Sequence, residues 1–442
     1  MFPNPQTALP LPPRPNVAQY KKLAKELVKA CKSADPGAIG DWAGKWVESL
    51  VKLAGLKITP QLPVRVETWV EQVGEFARRR SSDPEAPDAR CTLADAQFVI
   101  ARSHGFESWP RFSEHLAGLA HENSAVSQFE LAADAIVSGD IGTLRGLLKE
   151  NPVLVRARSA REHGATLLHY VSANGVEGYR QKTPKNIVQI AEVLLEAGAE
   201  VDAKAGVYSG GSTALSLAAT SIHPLRAGVQ NALLEILLDH GASLDNTQRE
   251  RTLIIVCLAN GCHRAADFLA SHGAPLDLEG AAGVGRLDVA KSFFHRDGSV
   301  KSTANSEQLQ RGFLWACEFG RNDVVEFLLE NGADLRARAD TGQTALHWAV
   351  VGGNVSTIKL LLERGAPLEE LNAHGGTVLG QALWSFINGD AEIEYVPMVE
   401  TLLAAGAKIE AGSLAWLGKQ EGRSAAAKAR VAEVLRRYGA TT

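Results

Sequence analysis

Apolar residues recur at helical spacing along much of this chain, in short runs that glycine interrupts. Between Thr344 and Gly365 the sequence carries two such runs, one before and one after the pair Gly352 and Gly353. Apolar side chains three and four positions apart line one face of a helix, so each run predicts a short amphipathic helix. Thr344 is placed to cap the first helix, and Gly365 supplies the left-handed residue that ends the second.

The phrase that ends this helix pair recurs along the chain as an apolar helix end followed by Gly-Ala. Its first glycines are Gly198, Gly241, Gly273, Gly332, Gly365, Gly406 and Gly439. Gly298 marks a degenerate copy in the widest interval. A spacing of about 33 residues, lengthened in places, indicates one supersecondary unit that is repeated.

Two of the helix starts carry a specific motif, "TALHWA" at 344–349 and "TLLHYV" at 166–171. They resemble the Thr-Pro-Leu-His-x-Ala signature of the ankyrin repeat, with Ala345 and Leu167 in the place of the proline. The resemblance implies an all-α, ankyrin-repeat solenoid of helix-turn-helix pairs with β-hairpin fingers and a concave groove. It covers residues 125–442 as about nine units, the last of which acts as a cap.

The segment before residue 125 is predicted to be an α-helical N-terminal extension. Residues 23–55 favour two helices with a break at 35–37, and residues 92–119 favour a second pair, capped by Thr92 and broken at Gly105. A charged linker that contains prolines is expected between the two pairs, at 78–90.

The 19–124 domain resembles the leaders that precede bacterial ankyrin arrays, so its helices are interpreted as degenerate ankyrin-like pairs that extend the solenoid. Residues 1–18 form a proline-rich arm. Because proline favours extended backbone, the arm is expected to lie along the surface as a tether, with service as a partner ligand as the alternative.

Composition narrows the classes of function. The net charge of −4 provides no basic field for nucleic acid or anionic lipid. No apolar run approaches the roughly 20 residues that a membrane span requires. Five scattered cysteines suit reduced thiols in the cytoplasm better than a disulfide framework. We therefore expect a cytoplasmic protein that binds neither nucleic acid nor membrane.

Departures from the repeat pattern indicate a candidate binding face. Insertions lengthen the second, third and eighth units at 174–186, 220–231 and 385–398. Equivalent loops of a solenoid lie on one side, so the first two insertions are expected to be neighbours.

In such loops tyrosine supplies an aromatic ring, arginine a planar set of hydrogen-bond donors and histidine a titratable group, all of which suit specific contacts with a ligand. The alternative is that these residues are solvated and bind nothing. The candidate ligand-binding residues in the insertions, the adjoining finger and the groove are Asn174, Tyr179, Arg180, Tyr208, His223, Asn260, Phe319 and Trp384, with Ser209 beside Tyr208. Trp315 and Trp348 also lie at groove positions, but we assign them to packing between neighbouring helices.

Most residues that could take part in catalysis or metal binding are better assigned a structural role. In ankyrin repeats the histidine at the position of His169 and His347 holds neighbouring backbone, so both are assigned a structural role. Cys257 and Cys262 lack a second ligand pair at zinc spacing, so no metal site is expected, and no cofactor motif is found. Glycoside hydrolysis needs two carboxylates, and the candidates for that role are Glu177, Glu318, Asp390 and Glu392.

Two functions stay open at this point. The first is non-enzymatic recognition of a partner protein through the groove and fingers, which the ankyrin resemblance implies. The alternative is binding of a small polar ligand such as a carbohydrate, or its carboxylate-dependent hydrolysis, in a pocket formed by the three insertions. An open groove lined by finger residues favours the first, and an enclosed pocket with converging polar groups favours the second.

Overall fold

Two compact units, Met1–Arg249 and Glu250–Thr442, make up the chain in the computed structural model. The structure describes residues 4–53, 62–81, 91–208, 210–245 and 251–441. Short α-helices joined by tight turns dominate both units, which confirms the predicted all-α class. The division of the chain at residues 18 and 124 into arm, helical domain and repeat array stays a prediction.

In the described residues of the first unit, five α-helices precede three successive helix groups of the repeated kind. The helices are α1 (Val17–Cys31), α2 (Ala38–Leu53), α3 (Leu62–Ser81), α4 (Leu93–Ser103), α5 (Trp109–Leu119), α6 (Ala125–Ser138), α7 (Ile141–Glu150), α8 (Leu167–Tyr170), α9 (Ile187–Glu196), α10 (Ala214–Ala219), α11 (Ile222–Arg226) and α12 (Gln230–Asp239). Short 3₁₀ helices cover Pro5–Thr7, Pro152–Arg156 and Gly178–Arg180.

The second unit continues the pattern with six helix pairs over residues 251–441. They are α13 (Leu253–Ala259) with α14 (His263–Ser271), α15 (Leu278–Gly283) with α16 (Leu287–Ser292), α17 (Ser306–Glu318) with α18 (Asn322–Glu330), α19 (Ala345–Val351) with α20 (Val355–Glu363), α21 (Val378–Asn388) with α22 (Tyr395–Ala404), and α23 (Ser413–Lys419) with α24 (Ala425–Arg437). The first helices of neighbouring pairs pack against one another, as α17 does against α15 and α19. Their apolar faces form a continuous core that runs from Leu278 to Leu435.

The glycine pattern has a direct conformational cause. All seven glycines of the repeated phrase adopt the left-handed conformation, as does the degenerate copy; their φ angles are 92° at Gly198, 85° at Gly241, 89° at Gly273, 83° at Gly298, 96° at Gly332, 84° at Gly365, 94° at Gly406 and 98° at Gly439. A side chain at such a φ collides with its own backbone, so glycine is the residue that ends these helices at least cost.

The fingers are shorter than the sequence suggests. Within the described ranges, four fingers are each held by an isolated antiparallel bridge, and no named strand is present. The bridges join Arg158 to Thr166, Ala205 to Ser212, Phe294 to Val300 and Arg338 to Thr344. Each bridge closes a turn between two helix pairs. The turn thereby positions the residues that precede the next helix.

The N-terminal helices follow the predicted breaks. Helix α1 ends at Cys31 and α2 starts at Ala38, and Gly105 has a φ of 83° between α4 and α5. Thr92 accepts from the Asp95 amide in a capping box, as its position predicted. The expected linker at 78–90 is wrong at its start, because α3 continues to Ser81; the remainder, 82–90, lies outside the described residues.

Candidate functional site

Two buried histidines join neighbouring repeats. The Thr344 and Thr166 amides donate to Nδ1 of His347 and His169 at 3.3 and 3.1 Å. The remaining ring nitrogen, Nε2, therefore carries the proton and donates to a carbonyl of the next finger, Gly376 for His347 and Ser212 for His169, at 3.2 Å in each case. Burial lowers the pKa of His169 to about 4 and also lowers the pKa of His347 below its ordinary 6.5, so both rings are neutral at neutral pH. The predicted structural role is confirmed.

A concave surface that carries a predicted residue, Trp384, lies in the second unit. A groove of about 750 Å³ runs between the finger loops 372–377 and 408–413 and the first helices of the last two pairs, α21 and α23. Trp384 and Trp416 line it with 54% and 36% of their surfaces exposed. An exposed tryptophan is unusual, and two on one groove leave a large apolar area available to a partner.

The floor of the groove is a hydrogen-bonded network of neutral side chains. Asn372 Nδ2 donates to Gln381 Oε1 at 3.3 Å, and Gln381 Nε2 donates to Ser385 Oγ at 3.0 Å. At one wall the Thr377 hydroxyl donates to Glu410 Oε1 at 3.1 Å. Because these side chains are already paired, their geometry is fixed before any partner binds, which reduces the entropy lost on binding.

Further along the same unit, aromatic rings pack between consecutive first helices. Trp315 stacks on Phe319 with centroids 5.9 Å apart, and Trp348 lies 6.3 Å from Trp315. His263 contacts the Phe319 ring at 5.1 Å. Trp315 and Trp348 are half-buried, so they do pack between helices. Phe319, predicted to bind ligand, is half-buried in the same group.

Two carboxylates lie beside these rings. Glu279 accepts from the Trp315 indole N–H at 2.9 Å, and burial raises its pKa. Burial raises the pKa of Glu318 to about 8, and in the described part of the chain its buried Oε2 accepts no hydrogen bond. Glu318 is therefore protonated at neutral pH. Burial favours the protonated form of both carboxyl groups, whereas glycoside hydrolysis needs an ionised carboxylate beside the protonated acid.

The insertion of the second unit carries a buried ion network in place of an exposed loop. Arg161 Nη1 lies 2.6 Å from Glu130 Oε1, and Arg161 Nε lies 2.9 Å from Glu177 Oε1. Arg180 reaches the second Glu130 oxygen at 2.7 Å and Asp134 at 2.8 Å. Glu177 and Arg180 were expected on an accessible face; the structure places them in the interior instead.

Electrostatics explain why these buried carboxylates stay ionised. Burial alone would raise the pKa of Glu177, but Arg161 and Arg180 together lower it well below its usual range. The same two guanidinium groups outweigh burial at Glu130 and lower its pKa to about 2. Tyr179 completes the network by accepting from Arg161 Nη2 at 3.3 Å. A carboxylate held by two arginines and closed off from solvent is a structural group rather than a proton donor.

An exposed corner of the first unit joins the arm to the two adjacent insertions. Tyr208 donates to Asn174 Oδ1 at 2.7 Å and accepts from the side-chain amide of Gln6. Asn174 in turn donates to Thr220 Oγ1 at 3.2 Å, which confirms that the first two insertions are neighbours. Ala173 and Tyr208, with φ of 46° and 50°, are the non-glycine residues in the left-handed region among those described.

The proline-rich arm is packed rather than free. Ala8 and Leu9 are fully buried, the Leu9 amide donates to Ser103 O at 2.8 Å, and His104 Nδ1 donates to Leu9 O at 3.0 Å. The expected surface tether is therefore anchored through its middle.

The other candidates are dispersed. His223 is half-buried on α11, an extra helix within the third unit's insertion. Asn260 is exposed, and its side chain donates to Val256 O of its own helix. Asp390 and Glu392 lie on the exposed loop between α21 and α22, where the Asp390 carboxylate accepts from the Glu392 amide at 2.9 Å. Ser209 lies outside the described residues.

Sequence reasoning missed several residues of the groove, above all Trp416, Gln381 and Glu410. Trp416 could have been found, because it follows Gly412 at the interval by which Trp348 follows Thr344. Among the residues described, no group of three histidine, cysteine or acidic side chains is arranged to hold a metal ion. In the same part of the chain, no helix has both the length and the apolar content for crossing a bilayer.

Comparisons with known proteins find a family model that matches part of the chain and a solved structure to which the chain is similar. A family model described as ankyrin repeats (3 copies) matches residues 313–412, which include the end of α17, helices α18 to α22, the loop 372–377 and most of the loop 408–413. Among solved structures, the chain is similar to the human ASB11 ankyrin repeat domain, with 22% sequence identity and a TM-score of 0.34. That match covers 63% of this chain and 99% of the other. Residues 313–412 are therefore ankyrin repeats, and the histidine contacts and glycine turns found there recur outside the matched segment.

Proposed function

We propose that this protein is a non-enzymatic recognition protein that binds a partner protein through the groove between finger loops 372–377 and 408–413. The observation that carries the proposal is the exposure of Trp384 and Trp416 on one preorganised concave surface. Tryptophan is enriched among the few residues that supply most of the binding energy at protein interfaces. The proposal agrees with the general use of ankyrin repeats as protein interaction modules.

The groove suits a polypeptide better than an enclosed small ligand. Its walls are finger loops and its floor is the side of two helices, so an extended segment can lie along it and contact both. The neutral amides of Asn372 and Gln381 and the hydroxyl of Thr377 are buried and paired within the protein, so they hold the floor and wall of the groove in one shape. Hydrolysis is less well supported, because it needs an ionised carboxylate beside a protonated one, and Glu177 is held in buried ion pairs while Glu318 is protonated and the pKa of Glu279 is also raised.

Affinity measurements on variants test the proposal. Partners captured by the immobilised protein are purified, and each is titrated calorimetrically against wild type, Trp384→Ala and Trp416→Ala. We expect each substitution to weaken binding at least about tenfold, or about 1.4 kcal/mol. Tyr438→Ala is the matched control, since Tyr438 is an exposed aromatic residue that does not line the groove. If every partner binds both tryptophan variants as tightly as wild type, the groove is not the recognition surface.

A further inference from the structure

The repeats place an aromatic residue at one register of the first helix. Trp348 is the fourth residue after the cap Thr344, and Trp416 is the fourth after Gly412, which precedes α23. Trp315 holds the corresponding position in α17, because it precedes Gly320 by the interval that separates Trp348 from Gly353. We call Trp315, Trp348 and Trp416 the aromatic row.

One repeat breaks the aromatic row. In α21 the fourth residue after the cap Thr377 is Gln381. Where consecutive repeats both carry the tryptophan, the two rings meet, as Trp315 and Trp348 do at 6.3 Å. Gln381 cannot make such a contact, since its amide is engaged by Asn372 and Ser385 in the floor. The groove opens at this interruption.

The interruption coincides with the exposure of the neighbouring rings. Trp416, the member of the row beyond Gln381, and Trp384, one helical turn past Gln381, both face the groove with large exposed areas. Trp315 and Trp348, which have a ring neighbour, are only partly exposed. A ring placed over Gln381 would cover the apolar surface that the missing neighbour leaves open, in the offset or edge-to-face contacts that aromatic pairs favour.

The charges around the groove favour a neutral occupant. Lys408 and Glu410 lie on the same finger loop and both line the groove, so they contribute one charge of each sign. Such a pair gives no net attraction for a cationic or an anionic side chain. The Glu410 carboxylate, oriented by Thr377, is still able to accept from an indole N–H or a phenol hydroxyl.

We propose that the partner inserts one aromatic side chain, tryptophan or tyrosine, into the groove over Gln381, where it restores the interrupted aromatic row. This inference rests on the proposed function and specifies the chemistry that the groove recognises. The inserted ring contacts Trp384 and Trp416 together, so it is held by residues of two neighbouring repeats.

Binding of a single labelled ring tests the proposal. N-acetyl-5-fluorotryptophanamide is titrated with the full chain and followed by ¹⁹F NMR, with N-acetylargininamide and N-acetylleucinamide as unlabelled competitors. We expect saturable broadening that Trp384→Ala and Trp416→Ala each reduce at least fivefold and Tyr438→Ala leaves unchanged. N-acetyltyrosinamide should displace the probe, and the arginine and leucine amides should not. Displacement by the arginine amide, or broadening that survives both tryptophan substitutions, would overturn the proposal.

A substitution that places the aromatic ring in the protein itself gives a second test. Gln381→Trp places an indole at the interrupted position, so we expect it to reduce probe binding at least tenfold. If this variant does not fold, the alanine variants still decide the question. If a captured partner binds Trp384→Ala more weakly but no aromatic probe binds the wild type, the inference fails and the proposed function stands. If the tryptophan substitutions change neither partner affinity nor probe binding, both the inference and the proposed function fail.

Discussion

Arg161 Nε lies 2.9 Å from Glu177 Oε1, and the exposed fractions of the two side chains are 1% and 0%. The pair belongs to a network that also includes Glu130 and Arg180, so each charge is compensated by a neighbour of opposite sign. Removal of one partner leaves the other charged and out of reach of water, which is much more costly than the loss of a surface pair.

We therefore expect Glu177→Gln to destabilise the first unit by about 3–5 kcal/mol. The matched control is Glu400→Gln, because Glu400 and Arg437 form a pair at a similar 2.9 Å whose side chains are 45% and 58% exposed. Loss of that pair should cost less than about 1 kcal/mol. Urea unfolding followed by circular dichroism measures both, and equal effects in the two variants would contradict the buried-network interpretation.

Buried histidines make the first unit sensitive to mild acid. Burial lowers the pKa of His104 to about 3 and of His115 to about 4, from 6.5. Between pH 6.5 and 4 the unfolded chain binds protons that the folded chain excludes, so stability falls as the pH falls. We expect His115→Gln to reduce this slope by about 1.4 kcal/mol per pH unit. The exposed His121→Gln serves as control, and an unchanged slope in His115→Gln would refute the assignment.

The second unit should show the opposite dependence through Glu318. Its pKa of about 8 lies above the ordinary 4.5, so its stabilising contribution is complete below pH 4.5 and is lost as the pH rises towards 8. Glutamine stays neutral in both states and avoids this loss. We expect Glu318→Gln to be close to wild type in stability at pH 4.5 and more stable by about 1–3 kcal/mol at pH 8. Thermal unfolding at the two pH values tests it; a variant that is destabilised equally at both would rule the explanation out.

Two glycines of the same repeat should respond differently to alanine. A methyl group on Gly352 would overlap the backbone carbonyl oxygen of Glu318 in the preceding repeat. Gly365 has a φ of 84° and open space around it, so alanine there meets only backbone strain. We expect a loss of at least about 3 kcal/mol for Gly352→Ala and about 1–2 kcal/mol for Gly365→Ala. Denaturant midpoints compare the variants, and the reverse order would show that the two repeats are not in close contact at Gly352.

The repeat geometry could be predicted from the sequence because it depends on residues with special local properties. The glycine positions follow from a backbone conformation that other residues avoid, and the roles of Thr344 and His347 follow from contacts within one helix start and its neighbouring finger. Each rule acts over a few residues, and the glycine rule recurs in most of the units. Each further copy of the repeat therefore strengthens the prediction made from the others.

The interior position of Glu177 and Arg180 could not be predicted in the same way. Charged residues in an inserted segment look alike whether the loop is solvated or folded inward, and the outcome depends on Glu130 and Arg161 in other elements. Trp384 was predicted as a groove residue from its place before the helix break, but its role in partner binding stays a prediction. Trp416 was overlooked because its repeat lacks the threonine and histidine that mark the register elsewhere.

The groove spans the last two helix pairs, since one wall comes from loop 372–377 and the other from loop 408–413. A guest seated there would contact α21 and α23 together and would hold the pair α23 and α24 against the preceding repeat. Local opening of α23 and α24 would then be slowest when the guest is present. Amide exchange in α23 and α24 should thus report occupancy even for a partner too large or too weak to be followed directly.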